Sequence, residues 1–205
     1  MKEANMMKKF RLFIDARKEE KWLNKMIQNG WLCKKVNTVG MYYFEKTKTL
    51  KRVIRLDSQS FKSTELYQQY IQLYEDYGWQ HIGGSRWSSS QYWTKSTDGL
   101  DELFSDTASE KAYLQRLMSY YSSFTLSLLF FSFILFTNTV QYTSLKSAYF
   151  TPGLWDKEGV NFLTAFLFET PFALVRFSSP WFMIICSIVC AIAYLRYKKE
   201  LEKIV

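Results

Sequence analysis

Short polar–apolar alternations fill the first half of the chain, and two long apolar runs dominate the second. The stretches 9–15, KFRLFID, and 51–57, KRVIRLD, each predict a strand ending in aspartate. A helical pattern follows each. Trp22, Leu23, Met26 and Ile27 share one face of the first helix, and Tyr67, Tyr70, Ile71 and Tyr74 share one face of the second. Asp15 is placed to cap the first helix. Both patterns stop at a glycine followed by tryptophan, Gly30-Trp31 and Gly78-Trp79, where glycine closes the helix and the aromatic opens a strand. A hairpin then follows in each case, through Asn37–Gly40 and through Ser85–Ser90.

The order strand, helix, strand, strand therefore occurs twice, over about residues 8–48 and 50–97. The expected fold class is α+β: a duplicated unit in residues 1–105, with an antiparallel sheet and both helices on one face. Residues 106–205 form a membrane region. An acidic linker, 97–106, leads to Thr107-x-x-Glu110, which fits a capping box. The helix it opens runs without a breaker into the apolar run, coupling the two parts more rigidly than a flexible tether would.

The run 119–140 is long enough to cross a bilayer, which takes ~20 residues. A second span is expected at about 180–196, so the two make a transmembrane hairpin. Between them, Gly159–Phe177 is apolar but interrupted by Glu169, Pro171 and Arg176, and reads as an interfacial or re-entrant helix, with a third span as the alternative. Glu169 and Arg176 are the ionisable residues near membrane depth. Such residues mark ion or ligand sites, or lie wetted at the edge of an interfacial helix, and the wetted reading is preferred.

Charge adds orientation. Of the net +8, residues 1–118 carry 20 Lys/Arg against 14 Asp/Glu, whereas 119–195 are neutral. Lys111 and Arg116 precede the first span, and Arg196, Lys198 and Lys199 follow the second, so both termini are expected on the cytoplasmic side of a cell-membrane protein. No apolar h-region opens the chain, as a signal peptide would require. Cys33 is then a reduced thiol, and Cys186 and Cys190, four apart, are expected to pack.

Candidate chemistry is sparse. With His81 alone, no histidine cluster can hold a metal, and no P-loop or dinucleotide fingerprint is present. Asp15 and Asp57 occupy matching positions and read as helix caps rather than as a catalytic pair. No enzymatic activity and no cofactor are expected. Tyr42, Tyr43, Phe44, Trp79, Tyr92 and Trp93 lie on strands of a basic domain. Of these, Tyr43, Phe44, Tyr92 and Trp93 are the candidate contacts for a protein partner. Stacking on single-stranded nucleic acid is a weaker reading, lacking a recognisable motif.

The residues Glu20, Trp22, Leu23, Gly30, Trp31, Tyr43, Phe44 and Lys46 carry a resemblance over about 8–95. The chain resembles a family of uncharacterised membrane proteins, chiefly of Gram-positive bacteria, with a cytoplasmic domain of unknown function. The resemblance implies genes beside PadR-like regulators and a role in an inducible envelope or drug response. It carries over no catalytic residue. The expected function is that of a non-enzymatic, membrane-anchored regulatory or adaptor protein. Its partners would be the lipid bilayer and a protein regulator, or a transporter for which it is an accessory subunit. A tethered nucleic-acid-binding module ranks last, and self-association stays open.

Overall fold

The computed structural model describes residues 6–37, 40–48, 51–97, 99, 101–104, 106–138 and 144–204. Thr38 and Val39 of the first expected hairpin turn, Asp98, Leu100 and Ser105 of the linker, and the end of the first expected span at Val140 lie outside them. The elements run β1 (Met6–Phe10), α1 (Ala16–Gln28), β2 (Trp31–Val36), β3 (Met41–Lys46), β4 (Arg52–Ser58), α2 (Thr64–Asp76), β5 (Gln80–Gly83), β6 (Ser90–Ser96), α3 (Thr107–Asn138) and α4 (Gly159–Leu201). The chain divides into two compact units: Met1–Leu117 with Tyr197–Val205, and Met118–Arg196.

The first unit is built on one six-stranded sheet of order β1-β3-β2-β5-β6-β4. β1 and β2 each pair antiparallel with β3, so they run parallel to each other and α1 is their crossover. β4 and β5 flank β6 in the same way, with α2 as crossover. β2 and β5 are themselves parallel. The two crossovers therefore step in opposite lateral directions from strands of one polarity. Right-handed connections then require the helices to lie on opposite faces.

Packing agrees with that requirement and corrects the expectation of two helices on one face. Leu23, Met26 and Ile27 of α1 pack with Phe44, Ile54 and Leu56, whereas Tyr70 of α2 packs with Val53, Trp79 and Trp93. Val53 and Ile54 are neighbours on one strand and point to opposite sides. Both faces being covered explains why β4 is buried at five of its seven positions.

Local boundaries also shift. The first strand is Met6–Phe10 rather than 9–15, because Arg11–Asp15 turn away to deliver the cap of α1. Asp15 accepts from the amides of Arg17 and Lys18, as a cap should. Asp57 does not cap α2: it lies inside β4, and Ser63 takes the capping role. Asp106, not Thr107, caps α3 by accepting from the Ser109 amide. Gly30 and Gly78 adopt φ of 81° and 79°, left-handed values that end α1 and α2 and turn Trp31 and Trp79 into the sheet.

In the second unit, Gly159–Phe177 is not a separate interfacial or re-entrant segment. It is continuous with the later run in the 43-residue α4, which carries Pro171 and Pro180 within it. α3 and α4 are both long and apolar enough to cross a membrane. Within this unit the Ser132 hydroxyl donates to the Pro180 carbonyl at 3.1 Å, and Phe136 meets Trp181 edge to face.

Candidate functional site

Charged groups of the first unit cluster at the start of α1 and along the β4 edge. Asp15 leaves the first helical amide, that of Ala16, without an intrahelical partner, and this N–H donates to the Tyr197 hydroxyl at 3.0 Å. Tyr197 is 2% exposed. One residue on, the Arg17 guanidinium donates to Glu110 of α3 at 2.9 Å and lies 3.7 Å from Glu200 of α4. The start of α1 thus holds the first turn of α3 and the last residues of α4.

A second contact grips α3 one face further on. Arg116 donates through Nε to the Ser58 carbonyl at 2.6 Å and through Nη2 to Asp57 Oδ1 at 3.0 Å. Asp57 is buried, and its other oxygen accepts from the Tyr70 hydroxyl at 2.9 Å. Trp93 Nε1 donates in turn to the Tyr70 oxygen at 3.0 Å. Burial pushes the Tyr70 phenol well above its ordinary range, so it stays a donor to Asp57. The chain Trp93–Tyr70–Asp57–Arg116 links β6, α2, β4 and α3, with Trp93, Tyr70 and Asp57 buried and Arg116 partly exposed at its end.

On the α1 face, Glu19 is almost fully buried and accepts from the hydroxyls of Tyr42 and Tyr92, each at 2.6 Å. Burial raises the carboxyl's pKa, and the two hydroxyls oppose that rise by stabilising the anion. Tyr42 comes from β3 and Tyr92 from β6, so this carboxylate joins the two halves of the sheet.

The residues singled out from sequence fall elsewhere. Phe44 and Trp93 are fully buried, one under each helix, and Tyr92 is committed to Glu19. Tyr43 is half-buried with the Lys8 ammonium 5.6 Å over its ring. These four do not form one surface: hairpin residues that looked like exposed contacts are core because both sheet faces are covered. Glu169 and Arg176 do meet, at 2.9 Å, two turns apart on α4. Glu169 is 6% exposed and accepts from the amides of Phe150 and Thr151 and from the Thr151 hydroxyl, so it is enclosed rather than wetted. Arg176 also donates to the Ala148 carbonyl and covers the Phe150 ring at 4.2 Å. The pair staples residues 148–151 to α4.

His81 bonds Gln91 and packs on Trp93, and its burial lowers its pKa. The Cys33 thiol is pushed up to about 12 by burial, which removes it as a nucleophile at neutral pH. Among the described residues no three His, Cys, Asp or Glu side chains are placed to hold a metal. Asp57, Arg116, Arg17 and Tyr197 were not singled out from sequence as site residues. Arg116 stands out in the sequence as a charge adjoining the first apolar run, and Asp57 only by its match to Asp15.

Comparison with curated proteins and with solved structures gives no match. A family model does match residues 15–126, more than half of the chain, and it takes in Arg17, Glu19, Asp57, Glu110 and Arg116 as well as the start of the apolar run. The chain belongs to the family described as protein of unknown function DUF2812.

Proposed function

We propose that this is a non-enzymatic, membrane-anchored adaptor or regulatory protein, with α3 and α4 crossing the bilayer and the sheet unit reading out a protein partner. One observation carries the reading: the sheet unit holds both the first turns of α3 and the last residues of α4, through Arg17, Asp57 and Tyr197. Two spans tied at these ends to one domain support a reading in which that domain and both ends of the helix pair lie on one side of the membrane. The basic flanks assign that side to the cytoplasm. The surface offered to a partner is the outer face of α2, where Leu66, Leu73 and Tyr77 are exposed, rather than the sheet.

The repeated element order supports reading the two halves as copies of one duplicated unit, turned over relative to each other. The resemblance to Gram-positive membrane proteins encoded beside PadR-like regulators supplies the setting, an inducible envelope or drug response. The test is in-cell crosslinking of the full-length protein with mass spectrometry of the linked residues. Links from the α2 face to a soluble regulator support the adaptor reading. Links concentrated in 118–196 to a multi-span protein overturn it in favour of a transporter subunit.

A further inference from the structure

α2 ends without the usual compensation. Its last turn holds Glu75 and Asp76 and no basic residue, so carboxylates add to the negative pole of the helix. Beside that end opens a cleft of about 630 Å³, within the ~300–1,000 Å³ typical of small-molecule sites. Tyr74, Tyr77 and Trp79 line one side, and Asp101, Leu103 and Phe104 the other. Glu102 also lines it, with Arg55 3.6 Å away as a partial counter-charge. Among the described residues, Asp101 Oδ1 is buried and takes no hydrogen bond. That oxygen has lost water and gained nothing in its place. The Lys95 ammonium stands 5.8 Å from the Trp79 ring centre, so this aromatic wall already accommodates a cation.

We propose that the cleft binds an organic cation with a flat aromatic body. The tyrosine and tryptophan faces attract positive charge, Asp101 supplies the counter-ion, and Leu103 and Phe104 take the apolar part. Tyr77 is 70% exposed and Leu73 53% exposed, and a ligand lying between them removes that surface from water. The unpartnered Asp101 oxygen disfavours an anion beside it. Lys95 also lines the cleft and Arg55 stands beside Glu102, so the ligand class is selected by the unpartnered Asp101 oxygen and the aromatic walls rather than by the sum of charges. The proposal goes beyond the adaptor reading and does not rest on it.

The test is calorimetric titration of the purified full-length protein in detergent, with no partner protein present. The probes are 1-methylquinolinium and, at pH 8, neutral quinoline of nearly the same shape. Saturable binding of the cation is expected, at least about tenfold tighter than quinoline. Asp101→Asn and, separately, Tyr77→Ala are each expected to weaken the cation by at least about fivefold at an unchanged thermal midpoint, with Tyr77 chosen because its exposure leaves the fold intact. Equal affinity for the two probes, undiminished binding by both variants, or no saturation below about 10 mM overturns the proposal.

Discussion

Asn24 treats Ile54 as a neighbouring strand would. Its Oδ1 accepts the Ile54 amide and its Nδ2 donates to the Ile54 carbonyl, both at 2.9 Å. Glu20, one turn earlier on α1, accepts the Leu56 amide at 3.1 Å. β4 is the last strand of the sheet, and its outer backbone would otherwise be open to pairing with another chain. One face of α1 thus packs on the sheet while its polar shoulder finishes the edge. Asn24→Ala leaves a donor and an acceptor of β4 unpaired. It should lower the stability of the sheet unit by about 2–4 kcal/mol in chemical denaturation followed by tryptophan fluorescence. A loss below about 0.5 kcal/mol would mean that water replaces the amide at no cost.

The Asp57–Arg116 pair is open to a double-mutant cycle. Asp57→Asn and Arg116→Met should each destabilise by about 2–4 kcal/mol, because each strands a partner that is at least partly buried. The double variant should lose less than the two singles combined, with a coupling of about 1–3 kcal/mol. Additive losses would show that the two residues act through separate neighbours.

Glu19 predicts a pH dependence of definite sign. Its folded pKa is raised above the ordinary 4.5, so the folded state binds the proton more tightly than the unfolded state does. Stability should therefore fall as pH rises from about 4.5 through the folded value, and then level off. Glu20 is raised as well and adds a slope of the same sign. Glu19→Gln keeps an acceptor for the two phenols and removes the titration. The variant should be at least as stable as the native protein at pH 7.5 and should show a shallower slope in thermal midpoints measured from pH 4.5 to 7.5.

Tyr197→Phe removes the hydroxyl that accepts the Ala16 amide. Hydrogen exchange at Ala16 should quicken while exchange at Ile54, whose partner is Asn24, stays unchanged. The expected loss is about 1 kcal/mol of local protection. Quickening at both sites would instead report global destabilisation.

The strand–helix–strand–strand order, the glycine–tryptophan helix ends and the two apolar helices were legible in the sequence because each rests on local pattern. The side of the sheet taken by each helix was not. It depends on β2 lying parallel to β5, a pairing between distant segments that no local alternation encodes. The same blindness misplaced Asp57, which has the look of a cap in KRVIRLD and becomes a buried acceptor only when Tyr70 and Arg116 arrive. Trp93 and Phe44 looked like contacts for a partner for a related reason: nothing in their hairpins shows that a helix covers both sides. Glu169 and Arg176 stood out as ionisable residues in an apolar stretch, but their ion pair and the Phe150 and Thr151 amides on Glu169 did not, because these need residues 148–151 brought against α4.

The bond from Ala16 to Tyr197 spans 181 positions of sequence. During synthesis the first helix can form early, yet the hydroxyl that completes its opening turn emerges from the ribosome only after both long apolar helices. The opening turn of α1 thus lacks this one acceptor until residue 197 has been made.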